Sequence, residues 1–324
     1  MRRPLVFLAG VLLMGAFAAP VFAADGDGDE GFTIKDPRIT ESSGLAASRQ
    51  HPGIYWTHND QDTGAYLYAV DSRTGETVAT ITMTGVGMPR DVEAISIGPD
   101  NQIYVGDIGD NDGVVWDYVW VYQLSEPKQL KDQTIRATQY VVKYSDGPRD
   151  AESLVVHPTT GRVYIIDKQE DGGHLYEGPA KLSASGTNVF KPVVAVDLWA
   201  TDAAFSPDGT RLAVRGYFGG IAYDWNDGKI KKLERISVPL GQGESVSYTT
   251  DGTKIMLGSE GAGSSVVAED APGDTGEASS KSPSGSGSSA AQGGDDGDGF
   301  KVGALAVAVG LVVVIGFKRL LRRS

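Results

Sequence analysis

Apolar and polar residues alternate along most of the chain between Phe32 and Ala268, and almost no stretch has the spacing of an amphipathic helix. Alternation with a period of two predicts half-buried β-strands. Polar turns rich in Gly, Pro and Asp separate these short strands. The pattern therefore predicts an all-β domain over residues 32–268.

One part of this pattern occurs twice. Residues 89–95 read PRDVEAI and return as PRDAESL at 148–154, and each copy is followed by a polar turn and a second strand. Self-similarity at a spacing of tens of residues indicates an array of supersecondary units. The apolar residues that open the successive repeats are Leu45, Ile95, Leu154, Ala203 and Val246.

Four strands can be placed around each of the first four repeats and three around the last. We therefore predict a β-propeller of five four-stranded blades, in which the N-terminal strand Phe32–Lys35 supplies the missing outer strand. Such closure covers a sheet edge that would otherwise be exposed. The outer strand of the second repeat is predicted at Ile135–Tyr144. Six blades, with a partial repeat between the second and third, are the alternative.

Several short segments resemble known propellers. FSPDGTRLA at 205–213 resembles the FSPDG-type repeat of WD40-like (TolB-type) propellers, and TDGTK at 250–254 is a degenerate copy. ESSGL at 41–45, HND at 58–60 and GDIGDN at 106–111 resemble segments of secreted, membrane-anchored actinobacterial propeller proteins. The resemblance covers nearly the whole β domain. It implies the propeller fold and no particular activity.

Both ends of the chain have the composition of targeting segments. A basic start, an apolar run and small residues before an acidic stretch predict a secretory signal peptide. An apolar stretch of about 24 Å in helical form, followed by four cations, predicts a membrane helix whose basic tail is cytoplasmic. We therefore expect a single-pass membrane protein with its propeller on the extracellular side. The predicted segments are a signal peptide at 1–23, an acidic leader at 24–31, a flexible linker at 269–301, a transmembrane helix at 302–317 and a tail at 318–324.

The charge and the absence of cysteine limit the function. The formal net charge is −13, which argues against a nucleic-acid partner. Without cysteine the chain has neither disulfides nor thiolate chemistry. An acidic protein of this kind suits divalent cations, and we expect an extracellular ligand or a protein as its partner.

Propeller topology would bring acidic residues from several repeats to one rim of the central channel. Carboxylate and amide oxygens in Gly-spaced loops match the ligands that Ca²⁺ prefers. The candidate Ca²⁺ ligands are Asp91, Glu93, Asp107, Asp110, Asn111, Asp112, Asp150 and Glu152. Ion pairing is the alternative for the channel acids, with Arg90 on Asp91 or Glu93 and Arg149 on Asp150 or Glu152.

Candidate catalytic groups on this rim are His58, Glu93 and Glu152, since the chain has neither a GxSxG nor an HExxH motif. The acidic rim also resembles the calcium face of propeller phytases. We predict a binding module with a Ca²⁺-binding rim; the alternative is a Ca²⁺-dependent hydrolase of phosphomonoesters or lactones. The alternating aromatic residues 116, 118, 120 and 122 are predicted to pack between blades, with a sugar-binding stripe as the alternative.

Overall fold

The structure is a computed structural model, and it describes residues 30–60, 64–111, 113–238 and 243–273. All of these residues belong to the first of two compact units, Met1–Thr275. They form 21 β-strands, and their one helical segment is a three-residue 3-10 turn at Pro99–Asn101. The all-β fold predicted from the alternating pattern is therefore confirmed.

The segments predicted at the two ends of the chain lie almost wholly outside the described residues. The signal peptide, the leader up to residue 29, the linker from residue 274 onward, the segment 302–317 and the basic tail lie outside the described residues. Among the described residues, no helix is long and apolar enough to cross a membrane. A spanning helix needs about 20 apolar residues. The expected single-pass membrane location is therefore corrected, because the structure contradicts it.

The strands are short and mostly antiparallel. In chain order they are β1 (Gly31–Thr33), β2 (Ser42–Ala47), β3 (Ile54–Asn59), β4 (Tyr66–Asp71), β5 (Thr77–Thr84), β6 (Val92–Ile97), β7 (Gln102–Asp107), β8 (Val119–Ser125), β9 (Gln133–Arg136), β10 (Thr138–Tyr144), β11 (Ala151–Val156), β12 (Val163–Asp167), β13 (Gly173–Glu177), β14 (Thr187–Val196), β15 (Ala200–Phe205), β16 (Arg211–Gly216), β17 (Gly219–Asn226), β18 (Lys229–Ile236), β19 (Gly243–Tyr248), β20 (Lys254–Ser259) and β21 (Ser265–Asp270).

Antiparallel pairing groups these strands into five units of four. Unit 1 is β2 to β5, unit 2 is β6, β7, β8 and β10, unit 3 is β11 to β14, unit 4 is β15 to β18, and unit 5 is β19 to β21 with β1 outermost. The pairing of β1 with β21 confirms that the N-terminal strand completes the last unit. The hydrogen-bonded sheets number four among the described residues, because β10 pairs in parallel with β14 and joins units 2 and 3.

The outer part of unit 2 differs from the prediction. The single strand expected at Ile135–Tyr144 is divided at Ala137, whose backbone N–H donates to the Thr84 carbonyl at 2.8 Å. The first piece, β9, pairs in parallel with β5 of unit 1, and only β10 remains in unit 2. The division covers the outer edge of unit 1, which would otherwise carry unpaired backbone groups.

The five units are arranged in a cycle. Their first strands contact one another in the order β2, β6, β11, β15 and β19, and β19 contacts β2 again. The apolar core is divided accordingly into five clusters, each formed by residues of two successive units. Trp56 of unit 1, for example, is fully buried against Ile95 and Val105 of unit 2. Both faces of each unit are therefore covered, and the sheets form a nearly closed structure.

Candidate functional site

Two sets of loops lie at the same end of the units. Successive strands of an antiparallel meander run in opposite directions, so the loop before the first strand and the loop between the second and third strands share one end. The predicted rim acids that the structure describes lie in these loops or in the adjoining ends of the strands. We call this end the acidic end. The opposite end carries tight turns such as 99–101 and 207–210.

A β-bulge interrupts the first strand of every unit near the acidic end. The pairing register shifts at equivalent places in β2, β6, β11, β15 and β19. A bulge leaves a residue out of the ladder and redirects its side chain. The residues left out are Ser43 with Gly44, Glu93, Glu152, Thr201 and Glu244, and all are buried. Three of the five bulges therefore hold a carboxylate away from bulk water.

The densest acidic cluster joins units 1 and 2. One carboxylate oxygen from each of Asp60, Asp91 and Glu93 lies within 4.8 Å of the other two. The Asn111 amide Nδ2 lies 3.2 Å from Asp91 Oδ2 and 3.4 Å from Glu93 Oε1. We call these four residues the cation cluster. Burial, followed by the carboxylates of Asp60, Glu152 and Asp91, raises the pKa of Glu93 well above its ordinary value.

Glycine at position 109 allows the backbone to approach this cluster. A β-carbon at Gly109 would lie 2.6 Å from both Asp91 Oδ2 and Glu93 Oε1, which is closer than real contacts allow. The Gly109 N–H donates to the Asp91 carbonyl at 3.2 Å. The GDIGDN segment therefore wraps around the two carboxylates of unit 2, and rotation of the Asn111 amide would turn its oxygen toward them.

The equivalent glutamate of unit 3 has a cation partner. Lys168 Nζ forms an ion pair with Glu152 Oε1, and both side chains are largely buried. Burial opposes the charge on Lys168, but the electrostatic effects of Glu152, Tyr217, Glu93 and Asp150 together outweigh it, and the pKa of Lys168 is raised. In unit 2 the position equivalent to Lys168 is Ile108, which is apolar and buried. Glu93 therefore lacks the partner that its unit-3 counterpart has.

Two carboxylate oxygens near the cluster have unmet hydrogen-bonding capacity. Glu152 Oε2 and Asp110 Oδ1 are buried and have no hydrogen-bond partner among the described residues. Burial raises the pKa of Glu152 to about 7, with smaller contributions from Asp150 and Asp91, and burial with a smaller contribution from Asp110 raises the pKa of Asp150. Buried polar atoms are normally satisfied, so such oxygens indicate a missing partner.

Asp107 has a structural role. Its carboxylate accepts hydrogen bonds from the backbone N–H groups of Arg90 and Asp91 and from the Tyr122 hydroxyl. In unit 1, Asn59 Oδ1 accepts from the Thr40 and Glu41 N–H groups in the same way. These contacts fix the loop before the first strand without a metal, and Asp107 is not part of the cation cluster.

The remaining predicted ligands lie around the cluster. Asp110 Oδ2 accepts from the Trp116 N–H at 2.7 Å, and the Asp110 N–H donates to Asp150 Oδ1 at 3.0 Å. Asp150 therefore ties unit 3 to the GDIGDN segment of unit 2. Asp112 lies outside the described residues.

The two arginines expected to pair with the channel acids are placed elsewhere. The Arg90 guanidinium lies between the rings of Trp116 and Trp120, 3.8 Å from each ring centroid. Arg149 forms an ion pair with Asp146 at 2.8 Å and bonds the Tyr176 hydroxyl at 2.6 Å. The predicted ion pairs with Asp91, Glu93, Asp150 and Glu152 are therefore wrong.

His58 is buried near the cycle of first strands. Its Nδ1 lies 3.0 Å from the Asn59 carbonyl, and its Nε2 faces the α-carbon of Gly44 without a hydrogen-bond partner among the described residues. Burial lowers the pKa of His58 to about 4. The imidazole is therefore neutral at physiological pH, and its surroundings are those of a packed core residue.

Sequence reasoning did not select Asp60 as a metal ligand or Lys168 as a counter-ion. Aligning the repeats identifies both, because Asp60 follows Asn59 and Lys168 follows Asp167 at the same place after the second strand. The signal was therefore present in the repeat register. The role of Gly109 depends on a loop path that no local pattern encodes.

Comparison with known proteins gives only structural similarities at low sequence identity. No protein-family model matches the chain, and no curated protein matches it. Among solved structures, the chain is similar to a crystal structure of the mitotic checkpoint complex, with 13% identity, TM-score 0.39 and coverage of 70% of this chain and 62% of that one. It is also similar to U3-55K, with 10% identity, TM-score 0.41 and coverage of 74% and 98%.

A third similar structure is named as a 6-phosphogluconolactonase from Bacteroides uniformis, with 14% identity, TM-score 0.40 and coverage of 72% of this chain and 69% of that one. Because the identities and TM-scores are low, we take neither blade number nor activity from these likenesses.

Proposed function

We propose that the chain folds as a five-bladed β-propeller. Three observations support this: the five four-stranded units, the cyclic contacts of their first strands, and the five apolar clusters shared by successive units. In a propeller, each blade packs both faces against its neighbours around a central channel. The acidic end is then one mouth of that channel, where the bulged residues of all five blades meet.

We further propose that the acidic end is a binding surface that holds Ca²⁺ at the cation cluster. The observation that carries this proposal is the buried Glu93 with Asp60 and Asp91 within 4.8 Å. Of the charged groups that shift the pKa of Glu93 most, three are carboxylates and one, Lys168, is cationic. Carboxylates this close oppose one another's ionisation unless a cation neutralises them.

The donors at the cluster fit calcium. Ca²⁺ takes six to eight oxygen ligands in a flexible geometry, whereas Mg²⁺ requires a tighter octahedron. The three carboxylates can each offer one or two oxygens, and the Asn111 amide can add another. Glu152 Oε2, which is buried without a hydrogen-bond partner among the described residues, supports a cation at this end independently of the cluster itself. Remaining ligand positions would be open to water or to a bound partner.

The hydrolase alternative has no supporting observation on the described residues. His58, the one histidine on the acidic end close to the cluster in sequence, is neutral and packed against Gly44. The experiment below nevertheless includes a hydrolysis assay, because a bound metal ion can itself activate water.

The test uses the full chain, stripped of cations with EDTA and dialysed. Calorimetric titration should give a Ca²⁺ dissociation constant of about 10⁻⁵ to 10⁻³ M, from the weak limit of sensor sites to the range of extracellular sites. At a hundredfold excess over Kd the protein should gain about 2.7 kcal/mol of stability. Hydrolysis of p-nitrophenyl phosphate is followed in the same samples.

Two isosteric variants separate the cluster from bulk charge. Asp91→Asn should weaken Ca²⁺ binding at least about tenfold, because it removes one of three charged ligands. Asp100→Asn changes an exposed acid at the opposite end and should bind Ca²⁺ like the wild type. Equal affinities in the two variants would show that calcium does not bind at the cluster, and Ca²⁺-dependent turnover that Asp91→Asn abolishes would establish the hydrolase instead.

A further inference from the structure

The acidic end also displays most of the exposed apolar surface. Ten large hydrophobic side chains are exposed among the described residues, and six of them lie in or beside the loops of this end. The six are Tyr66, Met88, Val114, Val115, Tyr118 and Phe218. The other four lie on outer strands, and the turns of the opposite end carry none of the ten. Concentration of exposed apolar groups on one face indicates an interaction surface.

The loop that carries Val114 and Val115 is held in a defined conformation. Val114 has a φ of 54°, a left-handed conformation that is rare for a β-branched residue. Its N–H donates to the Asp110 carbonyl at 3.2 Å, and the Trp116 N–H donates to the Asp110 carboxylate at 2.7 Å. The loop is therefore closed on both sides of Val114 and Val115, and its strain is stabilised by Asp110.

Arg90 contacts the same loop and stabilises it. Its guanidinium is stacked between Trp116 and Trp120, and its Nη2 donates to the Tyr118 carbonyl at 2.8 Å. Val115 is 66% exposed and Met88, two residues before Arg90, is 75% exposed. A surface that is already ordered loses little conformational entropy when it binds. The apolar residues are thus presented on a rigid base.

The exposed charge on the loops of the acidic end is negative. The exposed acids in the loops of this end are Asp117, Asp146, Glu170, Asp171 and Asp197, of which Asp146 is paired with Arg149, and the exposed cations are Lys35 and Arg38. Arg38 is neutralised by Asp36 at 2.6 Å, and Lys168 by Glu152. The potential at this end therefore attracts cationic groups and repels nucleic acids and anionic lipid surfaces.

From these observations we propose that the acidic end binds a basic protein segment in which apolar side chains alternate with lysine or arginine. The apolar side chains of the segment lie on Val115, Met88 and Tyr118, and its cationic groups face the exposed carboxylates of the surrounding loops. This inference specifies the partner of the proposed binding surface and rests on that function. It does not require the calcium site, since the exposed acids lie outside the cation cluster.

The test measures binding of fluorescein-labelled synthetic peptides to the full chain by anisotropy, in EDTA and in Ca²⁺. Ac-LKLKLK-NH2 is the probe, Ac-SKSKSK-NH2 has the same charge without the apolar groups, and Ac-LELELE-NH2 has the opposite charge. The Leu-Lys peptide should bind at least about tenfold more tightly than either control. Equal binding of the Leu-Lys and Ser-Lys peptides would mean attraction by net charge alone and would overturn the proposal.

Surface variants locate the contact. The double substitution Met88→Ser and Val115→Ser should weaken binding of the Leu-Lys peptide at least about fivefold and leave binding of the Ser-Lys peptide unchanged. Val189→Ser with Val193→Ser changes two exposed valines on an outer strand and should have no effect. An equal loss of affinity for the Leu-Lys peptide in both double variants would overturn the proposal. Binding of neutral glucan oligosaccharides without binding of the Leu-Lys peptide would also overturn it. Ca²⁺ titration of the same samples distinguishes failure here from failure of the cation site.

Discussion

Glu93 and Glu152 occupy the same bulge position in successive units, and only Glu152 is paired with an ammonium group. We therefore expect the isosteric substitutions Glu93→Gln and Glu152→Gln to change stability in opposite directions when divalent cations are removed. Glu93→Gln replaces a carboxyl whose ionisation is opposed by burial and by three neighbouring carboxylates. Glu152→Gln instead leaves Lys168 buried without its partner.

The magnitudes follow from these environments. A carboxyl whose folded pKa is raised contributes stability that is present at low pH and lost as pH rises through the folded value, at about 1.4 kcal/mol per pKa unit. At pH 7.5, Glu93→Gln should therefore gain at least about 1 kcal/mol. Removing one partner of a buried ion pair costs about 3–5 kcal/mol. At about 2–4 °C per kcal/mol, we expect Tm to rise by about 2–4 °C in Glu93→Gln and to fall by about 6–20 °C in Glu152→Gln.

The assay is calorimetric melting of the full chain in EDTA at pH 7.5 and 5.5, with exposed Glu170→Gln as the control. The advantage of Glu93→Gln over the wild type should shrink at pH 5.5, where the wild-type carboxyl gains its proton more readily. Saturating Ca²⁺ should reverse the order, because the cation stabilises the ionised form. A fall in Tm for Glu93→Gln in EDTA comparable to that of Glu152→Gln would refute the reasoning, since Glu93 would then be a paired carboxylate.

Three further predictions concern single residues. Gly109→Ala places a methyl group about 2.6 Å from the Asp91 and Glu93 carboxylates and should weaken Ca²⁺ binding at least about tenfold by calorimetry, whereas Gly87→Ala, with open space around it, should not. His58→Gln should reduce the loss of unfolding free energy at acid pH, measured by urea unfolding. The wild-type imidazole has a pKa lowered to about 4, so its contribution to stability is present above about pH 6.5 and declines below that pH, by up to about 3 kcal/mol. Arg90→Ala should cost about 1–2 kcal/mol in urea unfolding through loss of the tryptophan sandwich, and Arg90→Lys should not restore it, because an ammonium lacks the planar face.

The repeat pattern predicted the units well because one period of alternating strands recurs with little variation. The first strands lie where the apolar anchors placed them, and the N-terminal strand joins the last unit. The division of the outer strand at Ala137 was not predicted, although the apolar residues change phase there, from positions 135 and 137 to positions 140, 142 and 144. Which neighbour such a strand pairs with depends on edges that exist only after the units have assembled.

The acidic end was predicted in position but not in pairing. Topology alone brings the loops together, so the clustering of Asp91, Glu93 and Asp150 follows from the repeat. Partner choice depends on side-chain direction. Arg90 is adjacent to Asp91 in sequence yet lies between two indole rings, because Trp116 precedes the strand that carries Trp120 and closes over the guanidinium.

The bulges explain how a repeated scaffold produces a site that is not repeated. Each unit leaves an equivalent first-strand position out of the ladder, so each places one side chain at the same depth of the acidic end. The residue at that position, and the one after the second strand, can change without disturbing backbone pairing. Unit 3 places a lysine beside its glutamate and neutralises it internally, whereas unit 2 has Ile108 there and receives Asp60 from unit 1. On the function proposed above, a cation from solution is therefore expected at the boundary of units 1 and 2 and not one unit further on.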